Sequence, residues 1–419
     1  MRSERQRYWI FGVLALGYIL VYFHRLCAAV VAVDMQRDLQ AGGALLGLMA
    51  AAYFYPYALM QLPAGLLSDS LGPRRTITAF FGVACIGSLI LAVAPTVAWA
   101  IVGRGLVGLG VSMLFVPTMK VLAVWFKPRE FASMTGILVA VGGVGSIIAS
   151  GPLARVSGAL GWRSSFLIVG LVTLALAALI WLVVRDRPPE APAPTGDAGP
   201  DLWAAVRQVL SLPAFWPLAA WFFFECAIYF AFFGLWGGPY FAHVYGLDRS
   251  RAGDLLMMGA VGMVIGSPLL SYLSNNLFRG RKPVLVLSSA GAVAITAALC
   301  LRPATWSQPA LAALCFGLGI CTNAIVAIGF TAAKELFPVR IAGAATGLVN
   351  LFPFLGGALL QPFIGGLLEA HGKNAAGAFT LAGYRAALLA LLCSAGLAFG
   401  ASLFVRETMT RANPSGNPD

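Results

Sequence analysis

Long apolar runs follow one another along almost the whole of this 419-residue chain. A helix needs about 20 apolar residues to cross the hydrocarbon core of a bilayer. Twelve runs suit that purpose, near residues 8–33, 43–67, 76–95, 97–126, 131–154, 164–184, 214–240, 250–272, 283–301, 308–333, 342–368 and 382–404. Hydrophobic residues make up 59% of the chain and charged residues only 11%, which excludes soluble, disordered and fibrous proteins. The sequence predicts an all-α membrane protein with 12 transmembrane helices.

The 28 Lys and Arg residues indicate how these helices are oriented. If the N-terminus is cytoplasmic, 17 of them fall in cytoplasmic segments, 8 in outer segments and 3 within spans. Because cytoplasmic loops carry the excess of basic residues, we expect both termini on the cytoplasmic side. The basic residues are too scattered to form a nucleic-acid-binding surface. We therefore attribute the formal net charge of +12 mainly to the excess of basic residues in cytoplasmic segments. The first run, from Tyr8 to Val33, is too long for a signal peptide.

The longest interruption, residues 185–212, divides the spans into six and six. It begins as a Pro/Ala-rich linker and ends in Leu202–Leu212, which could form a short amphipathic helix on the inner membrane face. We therefore expect an N-terminal bundle over residues 1–184 and a C-terminal bundle over residues 213–419. The seven cysteines lie in apolar runs without a Cys-x-x-Cys pair, so we interpret them as reduced packing residues and predict no metal or cofactor.

The two halves of the chain repeat one another. Phe126-x-x-Arg129-x5-Thr135-Gly136 recurs as Phe337-x-x-Arg340-x5-Thr346-Gly347, and Asp69-x-x-Gly72-x-Arg74-Arg75 aligns with Asn276-x-x-Arg279-x-Arg281-Lys282. The offsets, 211 and 207 residues, nearly coincide. Transporters built from such repeats place the substrate near the bilayer midplane, between the halves.

Two motifs carry a family resemblance. Gly65-Leu-Leu-Ser-Asp69-Ser-Leu-Gly72-Pro-Arg74-Arg75 resembles the loop 2–3 motif of the major facilitator superfamily, and Arg104-Gly-Leu-Val-Gly108-Leu-Gly110 is similar to its span-four motif. The resemblance covers essentially the whole chain and implies a transporter made of two pseudo-symmetric six-helix bundles. On the residues themselves, Gly72 allows a tight turn, and Asp69 can accept from a helix N-terminus or pair with an Arg in one conformation and release it in another. The predicted gating motif is Gly65, Asp69, Gly72, Arg74 and Arg75; the alternative for the two arginines is a basic loop that only fixes topology.

Away from the ends of the predicted spans there are five candidates with ionisable side chains: His24, Arg25, Arg104, Lys120 and Glu225. A charge at the bilayer centre costs several kcal/mol, so each is a candidate functional residue. Three are basic, one is a histidine and one is acidic. This bias favours an anionic substrate.

Arg25 is the first candidate for binding that anion. Tyr22-Phe23-His24-Arg25 is similar to a segment of the organic anion:cation symporters in which the Arg contacts the substrate, although His24 replaces an acidic residue. A guanidinium can bind a carboxylate or phosphate with two hydrogen bonds; the alternative is an Arg that pairs with backbone carbonyls or a neighbouring helix. The predicted substrate-binding residues are Arg25, Tyr22, His24, Tyr53, Tyr57, Lys120, Tyr229, Asn323 and Asn350. The alternatives are a packed aromatic stripe for the tyrosines, helix cross-links for the asparagines and an interfacial position for Lys120.

Glu225 is the first candidate for proton coupling, since it is the only acidic residue deep within a predicted span. A carboxylate exposed to each side in turn can bind and release a proton; the alternative is an ion pair across the bundle. His24 titrates near neutrality and could also carry a proton, or it could be a packed core residue. Arg104 matches the superfamily's span-four arginine, which the resemblance implicates in coupling or structure.

The sequence therefore predicts a secondary transporter that moves a small organic anion, a carboxylate, with protons by alternating access. The alternative is a proton-coupled drug or metabolite efflux antiporter, although span one lacks the acidic residue that such exporters often carry. An enzyme is not expected, because the chain has only three histidines and no catalytic cluster. A nutrient receptor would usually add long soluble extensions. We expect a monomer in the bacterial inner membrane, whose partners are the anion, protons and the lipid bilayer.

Overall fold

The structure, a computed structural model, describes residues 2–61, 63–188, 202–337 and 339–409. Within these ranges the regular structure is helical, apart from an isolated bridge between Lys373 and Phe379. Among the described residues, eleven helices are long and apolar enough to cross a membrane, and a twelfth span is formed if Gly43–Leu59 and Pro63–Leu71, bent by 63°, are taken together. The predicted all-α membrane architecture is confirmed.

The spans of the N-terminal half are numbered 1 to 6. Span 1 is Arg2–Leu26 and Ala28–Asp38; span 2 is Gly43–Ala51, Phe54–Leu59 and Pro63–Leu71; span 3 is Pro73–Ala92; span 4 is Val97–Ser112 and Phe115–Trp125; span 5 is Pro128–Ile148 and Gly151–Leu160; span 6 is Trp162–Val183.

The C-terminal half contains spans 7 to 12. Span 7 is Phe215–Ala231, a π-helical turn Phe232–Trp236 and Gly237–Tyr245; span 8 is Arg249–Tyr272 and a π turn Leu273–Leu277; span 9 is Lys282–Leu301; span 10 is Gln308–Gly319, a π turn Ile320–Ala324 and Val326–Leu336; span 11 is Val339–Ala370; span 12 is Leu381–Phe404. The predicted linker contains the helix Leu202–Leu210; residues 189–201 lie outside the described ranges.

The internal repeat appears in the backbone where spans 3 and 9 begin. Gly72 has φ +83° before span 3, and its counterpart Arg279 has φ +45° before span 9. A glycine adopts this left-handed conformation freely, whereas Arg279 is strained by about 1–2 kcal/mol. The two halves therefore share a turn even where the residue type has changed.

An acidic residue just beyond the last span of each half caps the helix that follows this turn. The Asp186 carboxylate accepts from the Arg74 backbone N–H at 2.6 Å. In the second half, the Glu407 carboxylate accepts from the Arg281 and Lys282 N–H groups at 2.9 and 3.1 Å. Burial opposes ionisation of Glu407, but these backbone donors hold its pKa below the ordinary value.

Contacts between loops define two faces of the molecule. The terminal face carries the Arg7–Glu130 ion pair and the turns at Gly72 and Arg279. The opposite face carries the loops between spans 1 and 2 and between spans 5 and 6, which meet where the Trp162 indole N–H donates to Asp38 at 2.9 Å.

Candidate functional site

Arg25 lies in span 1 where the two halves meet, and its side chain is buried. Its Nη2 donates to the Tyr57 hydroxyl at 3.1 Å. Aromatic rings from both halves surround the guanidinium carbon, with ring centres at 4.5 Å (Tyr22), 4.9 Å (Phe354), 5.3 Å (Tyr57) and 5.8 Å (Phe230).

No carboxylate oxygen of the described residues lies within 4.0 Å of Arg25, and its Nε has no hydrogen-bond partner. Neutral aromatic faces and one phenol compensate a buried charge only partly. Arg25 therefore has the remaining hydrogen-bonding capacity that an anion requires.

Arg104, in span 4, contacts the backbone next to Arg25. Its Nη1 donates to the His24 carbonyl oxygen at 3.0 Å and lies 3.6 Å from Cys27 Sγ. Span 1 is interrupted at Cys27, so this donor satisfies a carbonyl group at the break. Arg104 thereby fixes the part of span 1 that carries Arg25, while its own Nε and Nη2 have no partner.

Tyr53 and Tyr57 connect the two arginines. Their rings stack with centres 5.6 Å apart. The Arg104 guanidinium carbon lies 5.1 Å from the Tyr53 ring centre, and the Arg25 guanidinium carbon lies beside the Tyr57 ring. His24 is fully buried, and neither of its ring nitrogens has a partner in the structure. Tyr22, His24, Tyr53, Tyr57 and the two arginines therefore form one cluster within the N-terminal half.

Glu225 lies in span 7, fully buried, in a hydrogen-bonded row. The Trp221 indole N–H donates to Ser289 Oγ at 2.8 Å, and Ser289 Oγ donates to Glu225 Oε2 at 2.9 Å. The second oxygen, Oε1, has no partner, and within the described ranges no basic side chain forms an ion pair with Glu225. Glu225 is thus held by a neutral network with one oxygen left unoccupied.

The remaining predicted polar residues lie at the sides of this central region. Asn323, in the π turn of span 10, has its Nδ2 3.2 Å from Met263 Sδ, and the Tyr229 hydroxyl lies 3.9 Å from the same sulfur. Asn350 donates to Gln61 Oε1 at 2.7 Å, which joins span 11 to span 2. Asn350 therefore bridges the two halves in this state.

Lys120 lies apart from the Arg25 cluster. Its Nζ donates to the Gly65 carbonyl at 2.7 Å and pairs with Asp69. Both partners belong to the predicted gating motif, which makes Lys120 a fixed neighbour of that loop.

The other motif residues pack against the end of span 6. Arg74 Nε donates to the Trp181 carbonyl at 2.7 Å, and its guanidinium carbon lies 4.1 Å from the Trp181 ring centre. A Cβ at Gly72 would lie 2.5 Å from Asp186 Oδ2, so glycine is required there for space as well as for φ. Arg75 is exposed.

The two halves are joined firmly at the opposite face. Asp34 of span 1 pairs with Arg249 of span 8, and Arg155 of span 5 donates to Asp254 of span 8 at 2.9 and 3.0 Å. Glu369 of span 11 accepts from the Ala44 N–H at 3.1 Å. The structure therefore describes a state that is closed at the opposite face.

Ion pairs near the terminal face have a different arrangement. Arg7 pairs with Glu130 at 3.0 Å and Lys120 with Asp69, both within the N-terminal half. Arg281 pairs with Glu335 at 3.0 Å within the C-terminal half. These pairs stabilise each bundle without holding the two bundles together.

Sequence reasoning missed Phe230 and Phe354, the two aromatic partners of Arg25 from the second half. Phe230 and Phe354 complete the ring around Arg25, and Gln361 donates to the Phe230 carbonyl at 2.8 Å. The aromatic density of residues 221–236 is a signal that could have drawn attention to Phe230. No group of three potential metal ligands occurs in the part of the chain that the structure describes.

Comparisons with known proteins agree with this architecture. The family model of the Major Facilitator Superfamily matches residues 14–361 and 237–419. The chain is 24% identical over 387 residues to a probable sulfoacetate transporter of Cupriavidus necator, covering 88% of this chain and 89% of that protein. It is 26% identical over 385 residues to a membrane sensor protein of Salmonella typhimurium, covering 85% of each.

A solved structure shares the fold. A bacterial homologue of the human lysosomal transporter Spinster, in an inward-facing and unoccupied conformation, superposes with a TM-score of 0.74 at 19% identity. The match covers 96% of this chain and 98% of that one.

Proposed function

Because this chain belongs to the Major Facilitator Superfamily, we propose that it is a secondary active transporter that moves a small organic anion, a carboxylate, together with protons by alternating access. The observation that carries the proposal is Arg25. It is buried at the boundary of the halves with an unpartnered Nε and, among the described residues, no carboxylate partner. Repeat transporters bind substrate at this boundary.

The charges around this boundary support an anion. Arg25 and Arg104 are both buried, and the described residues supply neither with a carboxylate. An anion that enters beside Arg25 offsets a desolvated positive charge and adds charge-assisted hydrogen bonds. The relative from Cupriavidus necator is named for sulfoacetate, a small organic anion.

Glu225 is the proposed proton carrier. Its unpartnered Oε1 and its neutral Ser289 contact leave room for a proton without breaking an ion pair. We assign His24 and Arg104 supporting roles in coupling, through the backbone contact that links them. Alternation requires that the Asp34–Arg249 and Arg155–Asp254 pairs separate when the opposite face opens.

The test uses purified protein, both in detergent and in proteoliposomes. Arg25→Gln should abolish the stabilisation by carboxylates, whereas Arg251→Gln, an exposed arginine that pairs with Asp248, should retain it. Glu225→Gln should still bind the anion and exchange it in counterflow but lose accumulation driven by a pH gradient. Unchanged anion affinity in Arg25→Gln would contradict the site, and retained pH-driven accumulation in Glu225→Gln would contradict the coupling residue.

The sensor relative supports a second candidate, a receptor that binds the anion without transporting it. Such a receptor would show Arg25-dependent binding but no counterflow. We further propose, from the distribution of basic residues, that both termini lie in the cytoplasm, and we expect the protein to be a monomer of the bacterial inner membrane. Protease digestion of a C-terminal tag in vesicles of known orientation tests that topology.

A further inference from the structure

The walls around Arg25 are mostly hydrocarbon. Phe54, Phe230 and Phe354 form a continuous aromatic group, with ring centres 5.0 Å apart for Phe54 and Phe230 and 5.7 Å apart for Phe230 and Phe354. Tyr57 joins it, with its ring centre 4.3 Å from that of Phe354. The C-terminal half therefore presents flat rings without hydrogen-bonding groups to the guanidinium.

Three polar side chains on the helices that form this wall are engaged already. The Tyr57 hydroxyl accepts from Arg25, the Gln361 amide donates to the Phe230 carbonyl, and Asn350 donates to Gln61. Gln361 Oε1 is a buried acceptor that has no partner. This oxygen can accept a hydrogen bond from one hydroxyl group of a ligand, but it cannot replace the water molecules that hydrate several hydroxyl groups.

Each hydroxyl that loses its hydration without gaining a partner costs about 1–3 kcal/mol. A ring that carries only a carboxylate has no such cost, and it gains stacking against the aromatic wall. We propose that the anion bound at Arg25 has a flat and largely apolar body, as an aromatic carboxylate has, in preference to a polyhydroxylated sugar acid. This rests on the proposed function, since it requires that Arg25 binds an anion.

Three six-membered-ring carboxylates separate these effects: benzoate, cyclohexanecarboxylate and glucuronate. Binding is measured by thermal shift and by isothermal titration with the full-length protein in detergent, with benzamide as the uncharged control. We expect benzoate to bind at least about tenfold more tightly than glucuronate, cyclohexanecarboxylate to lie between them, and benzamide to bind at least about tenfold more weakly than benzoate. Arg25→Lys should weaken benzoate binding, because a lysine loses the planar fork.

A matched pair of variants tests the wall itself. Phe354→Ala should weaken benzoate binding about tenfold or more, whereas Phe352→Ala should leave it within about twofold. Phe352 lies on the same helix but packs against Phe215 and Trp216. Equal losses in the two variants would overturn the role of the wall, and the melting temperature without ligand shows that both variants are folded.

The outcomes distinguish this inference from the proposed function. If glucuronate binds more tightly than benzoate and its binding still depends on Arg25, the apolar body is wrong and the anion site stands. If benzoate binds equally well to Arg25→Gln, it does not occupy this site and the inference fails. If none of the three anions binds, the inference fails, whereas the proposed anion site is decided by whether other carboxylates stabilise the protein in an Arg25-dependent way.

Discussion

A single methyl group at Gly365 should shift the balance between the two conformations. Gly365 of span 11 packs against Gly43 of span 2 at the opposite face, and a Cβ at Gly365 would lie 2.2 Å from the Gly43 carbonyl oxygen. An ordinary contact begins near 3.4 Å, so Gly365→Ala forces the two helices about 1 Å apart. Such overpacking typically costs about 1–3 kcal/mol. Because the clash disappears when the opposite face opens, the same energy favours the open state by about 5- to 150-fold.

The matched control is Gly366→Ala. Gly366 is the next residue of the same helix, and a Cβ there would have no neighbour within 4 Å. Both changes raise intrinsic helix propensity by about 1 kcal/mol, so the variants differ in the contacts of the added methyl group. At Gly365 these are the clash with Gly43 of span 2 and a milder contact, 3.0 Å, with Trp236 Cζ2 of span 7. Because the Gly43 contact is the shorter one and the one made across the halves, a difference between the two variants mainly reports the packing of the halves.

The assay follows a cysteine at residue 33, introduced as Val33→Cys. Val33 lines the small cavity between the halves at the opposite face, next to Asp34 and Arg249. The rate of alkylation by a membrane-impermeant maleimide, corrected for the native cysteines, measures how often that face opens. We expect at least about a fivefold increase for Gly365→Ala and no increase for Gly366→Ala. Equal rates in the two variants would refute the reasoning.

Three further predictions concern stability, each measured by thermal unfolding in detergent. Arg104→Met should be less stable than Arg25→Met by about 1–3 kcal/mol, because both changes remove a buried charge without a carboxylate partner but only Arg104→Met takes a donor from the His24 carbonyl; equal stabilities of the two variants would contradict this contrast. Arg279→Gly should raise stability by up to about 1 kcal/mol by relieving the positive φ of Arg279, and an unchanged or lower melting temperature would contradict a strained turn. Glu407→Gln should lower the free energy of unfolding by about 0.3–1 kcal/mol near pH 7. Because the folded-state pKa of Glu407 is lowered, the stabilisation by its carboxylate is present above the unfolded pKa of about 4.3 and is lost as the pH falls through the folded-state pKa. A stability difference between the two proteins that does not change with pH would refute the charged cap.

The sequence predicts the spans well because hydrocarbon thickness imposes a length on every helix. It also marks Arg25 as a candidate site residue, since a charged residue in an apolar run is conspicuous. Lys120 shows where this reasoning ends. Its distance from the end of span 4 is readable, but which loop it reaches depends on packing, and the structure joins it to Asp69 and Gly65.

The aromatic partners of Arg25 were not predictable for a related reason. Phe230 and Phe354 are ordinary residues in apolar runs, and they become distinctive only where spans 7 and 11 approach span 1. The π turn Phe232–Trp236 begins two residues after Phe230 and changes the direction of the side chains beyond it. The periodicity of apolar residues along one helix does not indicate which face of another helix that helix will pack against.

The caps formed by Asp186 and Glu407 have a practical consequence for dividing and trimming this polypeptide. Each carboxylate follows the last span of its half and holds the start of that half's third span. Two separately expressed fragments should therefore reassemble if the cut falls after Asp186, and should do so poorly if the first fragment stops at Val183. For the same reason, a shortened version of the chain should retain Glu407, because a truncation after Phe404 would leave the first turn of span 9 without its acceptor.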